Sequence, residues 1–275
     1  MDVYDTLVLS GNSTNALTTL GALQKLFEDG ILVMEKLSSF YGTSSGAMIS
    51  TLLSIGYQPI EILAHICANK TYSKVSGLNL ANLAYGGVMN FDTIDREFED
   101  LIITKLGYIP TISCIRERFG KRLVFVTYNM TKGKKEYITP ETFPDLLVNK
   151  AIRMSASFPF VFAPYEYAGN FYIDGGIVEN FPMMTAQMDG NHCFGMFNDN
   201  PPKAYTPQTS YFELFATLLT VFVASSAENI PTFPGSKTFK LSYDQSFFNF
   251  TSNNMDLIKM FDNGYDTCAC ALNGD

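Results

Sequence analysis

One short run, Gly42-Thr43-Ser44-Ser45-Gly46, sets the strongest condition on how this chain can fold. It lies where an apolar, β-like run over 37–41 gives way to a helix-like run over 47–53. Its two glycines must therefore carry a sharp reversal from strand into helix. Such a turn presents the central serine hydroxyl at a helix N-terminus, where backbone N–H groups and the helix dipole favour negative charge. Ser44 is the candidate nucleophile.

The same alternation recurs along the chain. Strand-like runs over 6–10, 38–41, 122–128, 136–139, 171–173, 193–197 and 238–243 are interleaved with helix-like runs over 17–28, 47–56, 59–68, 92–106, 145–154, 211–225 and 255–272. Gly or Pro punctuates most junctions, and residues 69–90, rich in Asn, Gly and Ser, read as an irregular excursion. This pattern predicts an α/β fold, with three α/β/α layers around a central, mostly parallel sheet. With 275 residues, 47% of them hydrophobic and 17% charged, the chain can bury a full core and reads as one domain over 1–275.

Charge narrows the partners. A net charge of -8 opposes binding to nucleic acid and electrostatic docking on acidic lipid, so any transient membrane contact must be apolar. The N-terminus, Met1-Asp2-Val3-Tyr4-Asp5, carries acid where a secretory signal carries basic charge. The apolar stretch over 214–224 falls far short of the roughly 20 residues that span a bilayer. These features predict a cytoplasmic protein, peripheral at membranes if it meets them. The five cysteines form no C-x-x-C pair and read as buried reduced thiols, and no motif calls for a metal or a cofactor.

A serine nucleophile needs a base and donors for the oxyanion that forms on the attacked carbonyl. Only two histidines exist. His65 lies on the helix that Pro59 opens and reads as structural. His192 follows Asp174 by 18 residues (192 − 174) and precedes a strand, so Ser44, Asp174 and His192 follow the chain order of an α/β-hydrolase triad. Asp174 itself ends an apolar strand and is followed by Gly175 and Gly176, as expected for a carboxylate at a sheet edge with backbone packed close by. It is the stronger candidate for the base.

These residues resemble the patatin-like phospholipases, a family that uses a Ser–Asp dyad in place of a triad. Leu7-Val8-Leu9-Ser10-Gly11 with the following helix looks like the family's opening strand and oxyanion loop, and Gly42 to Gly46 like its nucleophile elbow. Asp174-Gly175-Gly176 matches its D-G-[GA] motif, and the run from Ala151 to Pro159 its segment upstream of the aspartate. The likeness covers about 6–182. It implies a lipid acyl hydrolase acting through an acyl-enzyme on Ser44, with Asp174 as base and the backbone of Gly11, Asn12 and Ser13 as the oxyanion hole. The substrate would be a lipid or other acyl ester, with no metal and no cofactor.

One segment departs from the family's pattern. Where the family has a glycine triplet, a variable residue, a basic residue and another glycine, this chain reads Gly11-Asn12-Ser13-Thr14-Asn15-Ala16. The departure keeps open a catalytically weak or inactive protein that binds lipid or a partner, and His192 keeps open an ordinary serine esterase.

Overall fold

The computed structural model describes residues 3–71, 74, 87–190, 192–199, 206, 217, 218, 221, 230–242 and 253–273. Among the described residues eight strands form one sheet: β1 (Thr6–Leu9), β2 (Ser39–Gly42), β3 (Arg122–Asn129), β4 (Lys134–Ile138), β5 (Tyr165–Tyr167), β6 (Asn170–Asp174), β7 (Cys193–Asn198) and β8 (Lys237–Leu241). The order is β5-β6-β3-β2-β1-β7-β8, with β4 also paired to β3. The five strands from β8 through β7, β1 and β2 to β3 run parallel, while β4, β6 and β5 join antiparallel at one side. The expected α/β architecture is present, with a mixed sheet whose parallel part is its centre.

Helices follow the strands: α1 (Ala16–Glu28), α2 (Ser45–Ser54), α3 (Pro59–Asn69), α4 (Asp92–Leu106), α5 (Ile112–Phe119), α6 (Val148–Ala156), α7 (Gly176–Glu179), α8 (Met183–Met188) and α9 (Asn254–Asn273). Alternation along the strands sends successive side chains to opposite faces. Leu7, Leu9, Phe40, Leu123 and Phe125 enter the larger core under α1, α2 and α9, with Leu20, Leu23, Leu52, Met260 and Phe261. Val8, Tyr41, Val124 and Cys193 face the other way, onto Phe181, Met183 and Ala186 at α8.

Several expectations shift in detail. The helix expected from 145 begins at Val148, and at the start of α4 Asn90 Oδ1 accepts from the Asp92 amide at 2.9 Å. Helix α5 and strand β5 have no counterpart in the sequence reading. The helix expected over 211–225 lies almost wholly outside the described residues, as does most of the excursion over 69–90. Of the cysteines, Cys193 and Cys268 are buried, Cys67 and Cys114 half-buried and Cys270 exposed, all as thiols. Among the described residues no single helix is long and apolar enough to cross a membrane, although α2 and α3 pass that test as a bent pair. Most of the residues of α2 are buried in the core.

Candidate active site

Strand β2 ends at Gly42 and α2 begins at Ser45, so the reversal is complete within Thr43 and Ser44. Ser44 takes φ 55° and ψ −121°, a conformation that costs an L-residue of order 1–3 kcal/mol and persists only where its surroundings impose it. Those surroundings are visible. The Ser44 amide donates to Ser155 Oγ at 3.0 Å, and that hydroxyl donates in turn to the Val126 carbonyl at 2.7 Å. Thr43 Oγ1 donates to the Glu179 carbonyl at 3.0 Å. A Cβ on Gly42 would stand 2.7 Å from the Ala47 nitrogen, and one on Gly46 would overlap the Leu9 carbonyl oxygen, so neither glycine has a substitute.

Register brings Asp174 to the same level. Gly42 pairs with Phe125 in the parallel ladder, and Asp174 pairs with Thr127 in the antiparallel one. β3 thus carries the alignment from one to the other, and Ser44, two residues past Gly42, falls opposite the end of β6. The Asp174 side chain is fully buried, and its Oδ1 accepts from the Gly176 amide at 2.7 Å. Burial pushes its carboxyl up to about 7, with the Ser44 hydroxyl and the Gly176 amide opposing part of the rise. Oδ2 forms no hydrogen bond of ordinary geometry. The Ser44 hydroxyl is thus the side-chain group that lowers the carboxyl against its burial, without a hydrogen bond of ordinary geometry to Oδ2.

The segment after β1 is organised differently from a glycine-rich loop. The Gly11 amide donates to both Asn180 O, at 3.2 Å, and Asn180 Oδ1, at 3.1 Å, and the Asn12 amide donates to Ser45 Oγ at 2.8 Å. Two of the three amides expected to face an oxyanion are thus engaged, because residues at the serine turn and after Asp174 reach across to take them. The Ser13 amide has no partner among the described residues, nor has the Ser45 amide at the start of α2. Ser13 opens a single 3₁₀ turn (Ser13–Asn15) at φ 47°. Asn15 is wholly buried, and both polar atoms of its side chain lack a hydrogen bond among the described residues.

Ser44, Ser45, Ser13, Gly11, Asp174 and Asn180 line one pocket of about 170 Å³. Its remaining walls are mostly apolar: Leu17 and Leu20 of α1, Met48, Ile49 and Leu52 of α2, Ile62 and Ile66 of α3, Ile94, Phe98 and Leu101 of α4, and Phe91, Phe158 and Phe162. Phe91 meets Phe162 edge to face at 4.8 Å. One wall is polar, where His65 and Glu97 stand 3.9 Å apart. His65 is held below its usual pKa by burial, and its Nε2 pairs with Asn69 Nδ2 at 2.8 Å. His192 lies elsewhere. It precedes Cys193, which pairs with Thr6 at the start of β1, whereas Ser44 follows the strand ends. Four strand residues at about 3.3 Å each put roughly 13 Å of sheet between the two levels. Among the described residues no cluster of three or more His, Cys, Asp or Glu could hold a metal.

Two residues that organise the site have no role in the sequence reading. Ser155 belongs to the 151–159 run, so its place beside Ser44 had a local signal. Asn180 sits in the segment leading from Gly176 to α8 and acts on a loop 169 residues away, where no local pattern points.

Comparison with known proteins bears on the family and the fold. Residues 7–186 match the family described as Patatin-like phospholipase. The chain is 36% identical over 190 residues to a protein named probable lipid hydrolase 463L of Invertebrate iridescent virus 6, covering 66% of this chain and 63% of that one. It is 28% identical over 222 residues to the uncharacterized protein R571 of Acanthamoeba polyphaga mimivirus, covering 77% and 73%. The match thus spans a little under two thirds of the length of the viral lipid hydrolase. Among solved structures, VipD from Legionella pneumophila superposes with a TM-score of 0.59 at 18% identity, covering 99% of this chain and 67% of that one. The ExoU–SpcU complex of Pseudomonas aeruginosa gives 0.52 at 15% identity, covering 99% and 52%. Those two likenesses speak to the fold, and the matched residues 7–186 take in β1, the serine turn and Asp174: this chain belongs to the patatin-like phospholipase family.

Proposed function

We propose that the protein is a lipid acyl hydrolase in which Ser44 and Asp174 act as a dyad. The observation that carries this reading is the pairing of a strained serine turn with a buried carboxylate at the same level, both on the wall of an otherwise apolar pocket. As the Ser44 Oγ–carbonyl bond forms, the hydroxyl proton passes to Asp174 and negative charge moves onto the carbonyl oxygen. Collapse of that intermediate breaks the ester C–O bond, and Asp174 returns the proton to the departing alcohol. Water then attacks the acyl-serine, giving its proton to Asp174, and the fatty acid leaves as Ser44 regains its hydrogen.

The free amides of Ser13 and Ser45 are the donors for the oxyanion, the second being the residue after the nucleophile. The apolar walls would take the acyl chain, excluding water from the reacting ester. Wild type and Ser44→Ala should be treated side by side with a fluorophosphonate probe and then with a panel of lipid esters. Labelling confined to wild type, together with release of fatty acid, supports the reading. An unlabelled, folded wild type with no turnover on the panel sinks it. His192→Ala should keep most activity, since an exposed side chain at the far edge has no route to the serine.

A second reading has its own observation. Asn12, Ser13 and Asn15 replace the family's glycines and basic residue, and the Gly11 and Asn12 amides are engaged. A pocket that holds an acyl lipid without cleaving it would bind such lipids equally well in wild type and Ser44→Ala.

A further inference from the structure

Asn180 bonds to both backbone polar groups of one residue, Gly11. Its Nδ2 donates to the Gly11 carbonyl at 2.9 Å, while its Oδ1 and its own carbonyl both accept from the Gly11 amide. The side chain is buried and fills the space between two glycines. A Cβ on Gly11 would stand 2.6 Å from Asn180 Oδ1, and one on Gly176 would stand 2.9 Å from it.

We propose that Asn180 is a positioning residue that fixes the Gly11–Ser13 backbone relative to Asp174, leaving the Ser13 amide free at the serine. Its placement makes this mechanical. Asn180 follows Asp174 by six residues across the short helix α7, so the base and the clamp belong to one structural unit. Glu179 anchors that unit: Tyr137 and Lys135 donate to its Oε2 at 2.6 and 2.8 Å, and Thr185 to its Oε1 at 2.8 Å. With both backbone groups of Gly11 held by Asn180 and the Asn12 amide held by Ser45, the chain is fixed up to the turn at Ser13. Without Asn180 the loop would relax, and an oxyanion donor displaced by about 1 Å costs on the order of 10²-fold in rate. In Asn180→Asp, a carboxylate oxygen replaces Nδ2 and faces the Gly11 carbonyl, converting an attraction into a repulsion at the same shape.

The inference rests on the hydrolase reading for its kinetic readout only. Asn180→Ala and Asn180→Asp are compared with wild type in probe labelling, in kcat and KM on a short-chain ester, in Tm, and in amide hydrogen exchange. In both variants, labelling and kcat should fall about 10²-fold with KM little changed, the mark of a contact realised in the transition state. Exchange should quicken at residues 11–13 and not in β2. A folded variant with wild-type kcat and wild-type exchange in the loop overturns the proposal. A lowered Tm with kcat intact overturns it as well, since it leaves Asn180 a structural role alone. If wild type itself neither labels nor hydrolyses, the hydrolase reading fails while exchange still decides the clamp: quickening confined to 11–13 upholds it, and no change overturns it. Should Asn180→Ala fail to fold, Asn180→Asp carries the same comparison.

Discussion

The two turns that frame the site solve the same problem by different means. Both follow neighbouring parallel strands, and both lead into helices that wall the pocket. At the serine turn every constraint is met: glycine stands where a Cβ would collide, and the strained Ser44 backbone is held by Ser155. At the loop after β1, only Gly11 fits that description. Ser13 adopts a positive φ with a side chain attached, and Asn15 buries an amide that has no hydrogen bond among the described residues. Backbone strain at the serine turn presents the Ser44 hydroxyl to the pocket. At the second it comes from side chains that the geometry does not need, and the cost falls on stability and on the aim of the donors.

The comparison breaks most visibly if the first turn proves dispensable. Ser44→Ala and Asp174→Asn should each lower ester hydrolysis by at least about 10⁴-fold in a folded protein, as losses within one catalytic unit do. With Asp174 as the proposed base, which accepts a proton only when ionised, kcat/KM should rise with pH and level off above about 7, where burial has moved its carboxyl. Stability should run the opposite way. The folded state binds this proton up to about pH 7 and the unfolded state only up to about 4, so the contribution of Asp174 is fully present at low pH and is lost as pH rises through that window. Asp174→Asn should therefore exceed wild type in Tm above pH 7, with the gap closing toward pH 4. A pH-independent gap would remove the buried carboxylate from the account.

Next in size is Gly46→Ala, which drives a methyl group onto the Leu9 carbonyl between β1 and α2. No flexible side chain can yield there, so the loss should reach about 3 kcal/mol or more by denaturant unfolding, with activity falling in parallel. A tolerated alanine would mean that the serine turn has slack and differs less from its neighbour than the geometry says.

What the sequence disclosed tracks what is local. The 42–46 turn, the Asp174 strand end and the α1, α2 and α9 helices rest on runs of contiguous residues and were readable as such. Helix α5 also had its signals, with Thr111 capping the Cys114 amide at 3.2 Å and Gly120 closing it in the left-handed region, though only eight residues lie between. The β5 strand is three residues long and among the described strands pairs with β6 alone, so no periodicity could mark it. The clamp by Asn180, the capture of the Asn12 amide by Ser45 and the level of His192 depend on register between distant segments. Residue type at one position carries no record of them.

Asn15 offers a sharper test of the loop. Its amide is fully buried and unbonded, while its backbone carbonyl accepts from Asn198 Nδ2 at 3.4 Å and would be unchanged by substitution. Leucine keeps the same branch point and number of side-chain heavy atoms, with somewhat larger ends, and has nothing to desolvate. Asn15→Leu should stabilise the protein by about 1–2 kcal/mol, the usual cost of a buried polar group without a partner. A loss of stability would mean that the amide has bonds in solution, and the loop would then be as well satisfied as the serine turn.

The smallest effect is expected at Ser13. Glycine there relieves the left-handed strain of an L-residue, about 1 kcal/mol, but frees the unfolded chain by a similar amount, so the net change in stability should stay below about 1 kcal/mol. Activity separates the possibilities more cleanly. Asn12 is the poorer target, because its Nδ2 donates to Thr19 at 3.2 Å and its Oδ1 accepts from Ser10 at 3.3 Å, so its side chain is turned into the protein. Ser13 lines the pocket itself. If its side chain crowds the ester carbonyl, Ser13→Gly alone should raise kcat on a short-chain ester, and KM should barely move, because the ground-state contacts are those of the acyl pocket. A folded Ser13→Gly variant with unchanged kcat would show that the native loop already aims its amide well, and that strain at this turn is as productive as strain at Ser44.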